Sequence, residues 1–274
     1  MKALIDGDVL RYRIGFASEE TVWDVLLKRD EEFGALRTFS SKAEALEWIG
    51  EDDTDVVLQS RVIPSPIQNC LHSVKLQIEQ IIKGSLADEY KVYLSGSTNF
   101  RNNISVTRVY KGNRPDRKPY HFENITNYLV ERFGAVISDG QEADDDMSIE
   151  QWNDKECVIC TIDKDLDMVP GWHYNFVKDI RYYVDEDTAN EWFYCQLVMG
   201  DTTDNIQGIP GAGKKKAYEV LKECQTEMER YQAVRDLYME TYKDGDTVLL
   251  EMARLLWMRQ HPDQLWLPPV QLHT

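Results

Sequence analysis

Short β-rich runs alternate with helical stretches along the first 185 residues, and this alternation restricts the fold more than any other feature. Lys2-Ala3-Leu4-Ile5, Lys91-Val92-Tyr93-Leu94, Ala135-Val136-Ile137 and Cys157 to Ile162 read as strands. Residues 173–184 add one or two more. Between them, Ile67, Leu71, Val74, Ile78, Ile81 and Ile82 recur at helical spacing up to Gly84. Further helices are expected at roughly 121–133 and from Gln141. Strands separated by helices need crossovers, which gives an α/β fold with a doubly wound, mostly parallel sheet. Residues 18–63 read as an insertion. Two β-rich stretches, Thr21 to Leu27 and Asp55 to Ile63, flank a helix near 41–49 that Ser40 or Ser41 can cap. From Thr188 the signal is helical, broken by a glycine-rich turn at Gly208 to Gly213. The expected division is therefore an α/β domain over 1–185 and a helical region over 186–274.

Acids follow the strands. Asp6 and Asp8 come after the first, and Glu142, Asp144, Asp145 and Asp146 open the helix after the strand at 135–137. Asp163, Asp165 and Asp167 follow the strand at 157–162, and Asp201 and Asp204 precede the glycine-rich turn. Any one group is an ordinary turn or helix cap. In an open parallel sheet, however, the carboxyl ends of the strands share one edge, where ligands bind. Carboxylates converging there repel one another unless cations neutralise them. An all-oxygen set suits Mg²⁺ or Mn²⁺, and two such ions clamp a phosphodiester.

The formal net charge of −17 argues against a polyanion partner until its distribution is considered. Between Arg101 and Lys118 six basic residues (Arg101, Arg108, Lys111, Arg114, Arg117, Lys118) stand against one acid, Asp116. Interleaved Tyr110 and Tyr120 suit a passage that tracks a backbone and stacks bases, and Pro115 and Pro119 favour a loop or short helices there. Lys214-Lys215-Lys216 opens the helix after the glycine turn, where Gly211 and Gly213 allow a phosphate close to its N-terminus. Five cysteines without framework spacing suit a reducing compartment, and Cys157 and Cys160 read as buried thiols. No apolar run approaches the roughly 20 residues that span a bilayer, and Met1 to Asp6 does not read as a signal peptide. A cytoplasmic protein with no membrane partner is expected.

Five ordered segments carry a resemblance. They are Leu4-Ile5-Asp6-Gly7-Asp8, Tyr110-Lys111-Gly112-Asn113-Arg114, Glu142-Ala143-Asp144-Asp145, Asp163-Lys164-Asp165-Leu166, and Gly200-Asp201-Thr202-Thr203-Asp204-Asn205-Ile206 running into Gly208-Ile209-Pro210-Gly211-Ala212-Gly213-Lys214-Lys215. With these the chain resembles the flap endonuclease/5′→3′ exonuclease family, with its PIN-like fold, and most of all its phage members. The resemblance implies two-metal hydrolysis of DNA with 5′ ends or flaps, extending to RNA–DNA hybrid, in the cytoplasm of a phage-infected bacterium. It assigns Asp6, Glu142 and Asp144 to a first metal, and Asp145 to a place between the ions. Asp163, Asp165, Asp201 and Asp204 go to the second.

By the same resemblance Tyr110, Lys111 and Arg114 meet the scissile phosphate and the 5′ region, within a clamp or arch at about 100–120. Residues 200–222 match a helix–three-turn–helix motif that grips duplex DNA through Gly208, Gly211, Gly213, Lys214 and Lys215 and in relatives holds K⁺. One departure stands out. Relatives carry a further metal-binding aspartate after the strand matching Lys91 to Leu94, where this chain has Gly96. Asp8 is the candidate substitute.

Two other readings compete. A PIN-type ribonuclease on single-stranded RNA would lack the glycine-rich grip at Gly208 to Lys216. A catalytically silent DNA-binding or assembly protein finds support only in the acid missing at Gly96.

Overall fold

The computed structural model describes residues 1–28, 35–50, 55–115 and 117–269. Along the chain run β1 (Lys2–Asp6), α1 (Gly7–Ala17), β2 (Glu19–Leu27), β3 (Arg37–Phe39), α2 (Lys42–Ile49), β4 (Val56–Pro64) and α3 (Ile67–Ser85). Then come β5 (Glu89–Ser95), α4 (Arg101–Ile104), α5 (Phe122–Phe133), β6 (Val136–Ser138), α6 (Ala143–Asn153), β7 (Cys157–Cys160), a 3-10 turn over Lys164–Met168, β8 (Gly171–Asn175) and β9 (Ile180–Val184). The chain continues with α7 (Glu186–Met199), β10 (Gly200–Asp201), β11 (Ile206–Gln207), α8 (Lys214–Leu221), α9 (Glu227–Thr241) and α10 (Gly245–Leu256).

The central sheet has the order β6-β5-β1-β7-β8-β9. All its pairings are parallel except the terminal β8–β9 hairpin, so the expected mostly parallel α/β sheet is present. Ala3, Leu4 and Ile5 of β1 are fully buried, as a strand covered on both faces requires. The expected strand at 157–162 stops at Cys160; Thr161 beyond it still donates its amide to Tyr174 O at 3.2 Å, and its hydroxyl goes to Asp6 at 2.7 Å. Cys157 and Cys160 are both buried free thiols.

The chain forms two compact units, Met1–Val9 with Ile78–Asp116 and Leu129–Thr274, and Leu10–Gln77 with Arg117–Tyr128. The expected boundary at residue 185 is therefore not a division between them. In the first unit one apolar cluster runs from Leu4 of β1 through Phe193 and Leu197 of α7 to Val234, Met252 and Trp266. The apolar faces of the C-terminal helices complete the core of the sheet instead of building one of their own. In the second unit β2 pairs antiparallel with β3 and β4, and Ser41 caps α2. Asp24 of β2 accepts from Thr38 at 2.5 Å and from Arg61. His121 is buried with Nε2 2.7 Å from the Ser65 carbonyl. Among the described residues no helix is long and apolar enough to cross a membrane.

Candidate active site

The acids of the first unit meet where β1 and β7 end and α6 begins. Asp6, almost fully buried, accepts from the Val9 amide at 3.1 Å and the Thr161 hydroxyl at 2.7 Å. Burial and the nearby Asp8 push its carboxyl up to about 7. Asp144, on the first turn of α6, is pushed well above the usual carboxylate range by burial, then by Asp6, Asp163, Glu142 and Asp8. Burial also raises Asp165, to about 7, with Asp163, Asp201 and Asp204 adding to it. Asp163 is raised by burial and by Asp204 and Asp201. Two acid groups assigned from opposite ends of the chain thus press on one another.

The Tyr110 to Arg114 segment is stitched to the second group. The Lys111 amide donates to the Asp204 carbonyl at 2.9 Å, Asn113 Nδ2 to Thr202 O at 2.6 Å and Arg114 Nε to Thr203 O at 3.2 Å. Asn205 Nδ2 returns a bond to Val109 O at 2.9 Å. Lys111 and Asn205 both sit at positive φ, 55° and 59°. That is uncommon for residues other than glycine, and it persists where surrounding contacts impose it. The Lys111 ammonium pairs with Glu142 and lies 3.6 Å from Asp204, and Arg114 pairs with Asp204. Burial alone would raise Glu142, but Arg101 and Lys111 carry it down to about 2.

Two basic-tract expectations are corrected. Arg101, read as a DNA contact, is 1% exposed. Its guanidinium grips Asp145 at 2.5 and 3.0 Å and donates to the Leu255 and Trp257 carbonyls at 2.8 and 3.1 Å. Tyr110, read as a stacking aromatic, is buried and donates its hydroxyl toward Glu142 and Asp204, each at 2.8 Å. In both cases a polar group within the acid cluster provides a partner that solvent would otherwise supply.

Asp145 also differs from its expected place between two ions. It is fully buried, and besides Arg101 it accepts from the Glu142 and Arg259 amides, both at 3.2 Å. Four donors make it an anchor for α6. Arg108 and Arg114 are exposed. Arg117 and Lys118 belong to the second unit, where Arg117 pairs with Glu19 and Lys118 lies 4.6 Å from the Phe122 ring centre.

The glycine-rich turn lies between α7 and α8, and an unexpected two-residue ladder, β10–β11, immediately precedes it. Gly208 is required there, since a Cβ would stand 2.3 Å from the Gly200 nitrogen. Gly211 has φ of 73°, and Gly213 precedes α8 without a side-chain cap. Lys214 and Lys215 are exposed, with Lys214 over the Trp192 and Tyr218 rings.

Some partners carried no sequence signal. Thr161 holds Asp6 and accepts from the Asp163 amide at 3.0 Å. Gln196 of α7 donates to Asp165 at 2.6 Å. Thr161 falls inside the strand expected at 157–162 and carries no mark of its own. Gln196 is a polar residue on an otherwise buried helix face.

Among the described residues, no three His, Cys, Asp or Glu side chains already close on a common point as a metal shell. The fit to a divalent ion therefore rests on donor chemistry. Asp6, Asp144, Asp163 and Asp165 are hard oxygen donors, held above their ordinary range by burial and by one another. A hard cation would relieve that repulsion.

No protein-family model matches the chain. It is 30% identical over 126 residues to the exodeoxyribonuclease of Enterobacteria phage T3, covering 43% of this chain and 41% of that protein. It is 26% identical over 156 residues to a 5′-3′ exonuclease of Halalkalibacterium halodurans, covering 50% and 51%. The matched region thus spans about half the length of these curated relatives. The fold is that of the T5 5′-exonuclease bound to zinc, with a TM-score of 0.58 over 93% of this chain and 89% of that one at 17% identity. The T5 D15 flap endonuclease in a product complex with DNA and metal ions superposes with a TM-score of 0.52 over 93% and 98% at 15% identity. In sequence the chain is similar to phage and bacterial 5′-3′ exonucleases over about half their length, and it shares the fold of the T5 5′-exonuclease.

Proposed function

We propose that this relative of the 5′→3′ exonucleases hydrolyses phosphodiester bonds of DNA at 5′ ends or flaps, leaving a 5′-phosphate. The observation that carries this is the joining of two acid groups, raised by burial and mutual repulsion, to the cationic turn Tyr110 to Arg114 through the 202–205 backbone. Asp6, Asp8, Glu142 and Asp144 would hold one Mg²⁺ or Mn²⁺, and Asp163, Asp165, Asp201 and Asp204 a second. Such ions supply an activated water and neutralise charge on the leaving oxygen.

The chain's own residues position and stabilise. Thr161 and the Val9 amide fix the Asp6 carboxylate, and Gln196 fixes Asp165. Lys111 and Arg114, paired here with Glu142 and Asp204, would turn toward a phosphate and stabilise charge building on it. Burial would lower Lys111, but Glu142 and Asp204 keep it protonated. Gly208 to Lys215 would grip duplex backbone, with K⁺ at that turn, and Arg108 would contact single-stranded DNA; Arg117 and Lys118, in the second unit, would each contact DNA separately. RNA–DNA hybrid is a further substrate of the same chemistry, and the host cytoplasm its setting.

The four donors locking Asp145 and the acid missing at Gly96 favour one competing reading, a silent DNA-binding protein. End-labelled 5′-flap, blunt duplex, hybrid and single-stranded RNA substrates, each with Mg²⁺, Mn²⁺ or EDTA, separate the two. Metal-dependent cleavage of the flap and duplex is expected, with none in EDTA. Retained DNA binding without any cleavage would establish the silent protein instead.

A further inference from the structure

A cavity of the first unit lies away from the acid edge. α6 leads from Asp144 to Trp152, and α7 leads back from Glu186 to Met199, just before Asp201. At about 1.5 Å per residue, α7 alone covers about 20 Å. Where α6 ends and α7 and α9 begin, a cavity of about 660 Å³ opens, within the size range of ligand sites. Trp152, Phe193, Trp257 and Trp266 line it. Phe193 and Trp266 are buried with ring centres 5.9 Å apart, whereas Trp152 and Trp257 are only half-buried. Accessible indoles beside a preformed cavity are the anchor points that protein interfaces favour.

The polar lining narrows what can enter. Arg230, 4% exposed, donates to Asn190 Oδ1 at 2.9 Å and pairs with Asp187 at 2.6 Å. Its charge is thus taken up by Asp187. Glu186 and Glu227 remain as negative charge at the exposed rim, Glu227 accepting from the neutral Tyr194 hydroxyl at 3.3 Å. Acids are ordinary in the first turns of α7 and α9, where they offset the helix dipoles. That accounts for their presence, but not for the indole-lined cavity they surround. An acidic rim repels a phosphate backbone and attracts a cation. Trp152 already carries the Lys155 ammonium 4.2 Å from its ring centre, the contact a basic side chain makes with an indole.

We propose that this cavity docks a partner protein through a segment that joins a large apolar side chain to an arginine or lysine. The apolar group fills the space between the tryptophans, and the basic group pairs with Glu186 or Glu227. The site stands independently of the nuclease reading, and a partner seated there leaves the acid edge free.

Acetylated, amidated tetrapeptides that pair one arginine or lysine with one tryptophan, phenylalanine, leucine or methionine test it. They are set against the same panel with glutamate for the basic residue, and against dAMP. Each is titrated into the full chain in EDTA while the indole N–H signals are followed by NMR, Trp152→Phe and Trp257→Phe identifying two of them. Members of the basic panel are expected to bind at millimolar concentration or below and to shift both signals; the acidic panel and dAMP are not. Trp257→Ala should weaken binding roughly tenfold or more, and Glu186→Lys roughly threefold. A melting curve for each variant separates lost binding from unfolding, and exposed Glu186 keeps the test sound should Trp257→Ala not fold. Binding of dAMP at these signals would make the cavity a nucleotide site instead. No basic peptide bound, or binding unmoved by Glu186→Lys, would overturn the proposal.

Discussion

The two ends of β1 treat negative charge in opposite ways. At its start Lys2 lies 2.9 Å from Glu150, Lys91 reaches the same carboxylate at 2.8 Å, and the Tyr93 hydroxyl donates to it. Burial would raise Glu150, but these donors carry it down to about 2. At its end Asp6 accepts from Thr161 and the Val9 amide, faces further acids, and rises to about 7. Glu150 is neutralised by cations of its own protein, whereas Asp6 is held by neutral donors and pushed up by burial and by Asp8. That contrast separates a structural charge cluster from a functional one better than a count of acids does.

The largest effect should come from deleting acids at the second end. Asp144→Ala or Asp163→Ala is expected to lower flap cleavage on the order of a thousandfold, since a bound ion contributes several kcal/mol to the transition state. Circular dichroism should show the fold retained, as neither change removes core packing. Glu150→Gln should leave cleavage near the wild-type rate. An equal loss of activity in Glu150→Gln would break the comparison.

Arg101 sharpens it from within, because there the protein places a fixed cation inside the acid cluster. Arg101→Met leaves Asp145 buried and without its counter-charge, which should cost about 3–5 kcal/mol of stability by chemical denaturation. Loss of stability below about 1 kcal/mol would show Arg101 to be a solvated contact after all. Glu150→Gln should cost less, about 1–3 kcal/mol, because its partners reach solvent. The two values in the reverse order would mean that the first end of β1 is the more tightly held.

The alternation of strands and helices was enough to read the parallel sheet, and the spacing in α3 most of its buried face: Val74, Ile78 and Ile81 are inside, with Ile67, Leu71 and Ile82 on the flanks, while buried Cys70 was not marked by it. The acids after β1 and β7 were legible because a strand end has one place to go. Arg101 was not. A lone arginine in a basic stretch reads as surface, and its partners Asp145, Leu255 and Trp257 lie 44 to 156 residues away. Tyr110 misled for the same reason, its acceptors lying 32 and 94 residues off. The boundary expected at 185 failed because periodicity reveals that α7 and α10 have apolar faces but not what they cover. β10 and β11 are two residues each, too short for any pattern to mark.

The smallest predicted effect tests the comparison through opposite pH slopes. Folded Asp6 and Asp165 keep their protons up to about pH 7, whereas the unfolded chain releases them near 3.8. Between these values the folded state binds more protons, so their contribution to stability falls as pH rises. Glu150 behaves inversely: its contribution is present above 4.5 and is lost as pH falls toward 2. From pH 5 to 8 only the site's end of β1 titrates. Buried His173, held below its ordinary 6.5, pushes the other way in that window, so wild type is best compared with Asp165→Asn, which shares it. In EDTA the melting temperature of wild type should fall by a few degrees more than that of the variant between pH 5 and 8. Saturating Mn²⁺ should remove the difference, because a bound cation holds the carboxylates ionised throughout. Parallel slopes for the two proteins in EDTA would mean that Asp165 is no more strained than an ordinary surface acid.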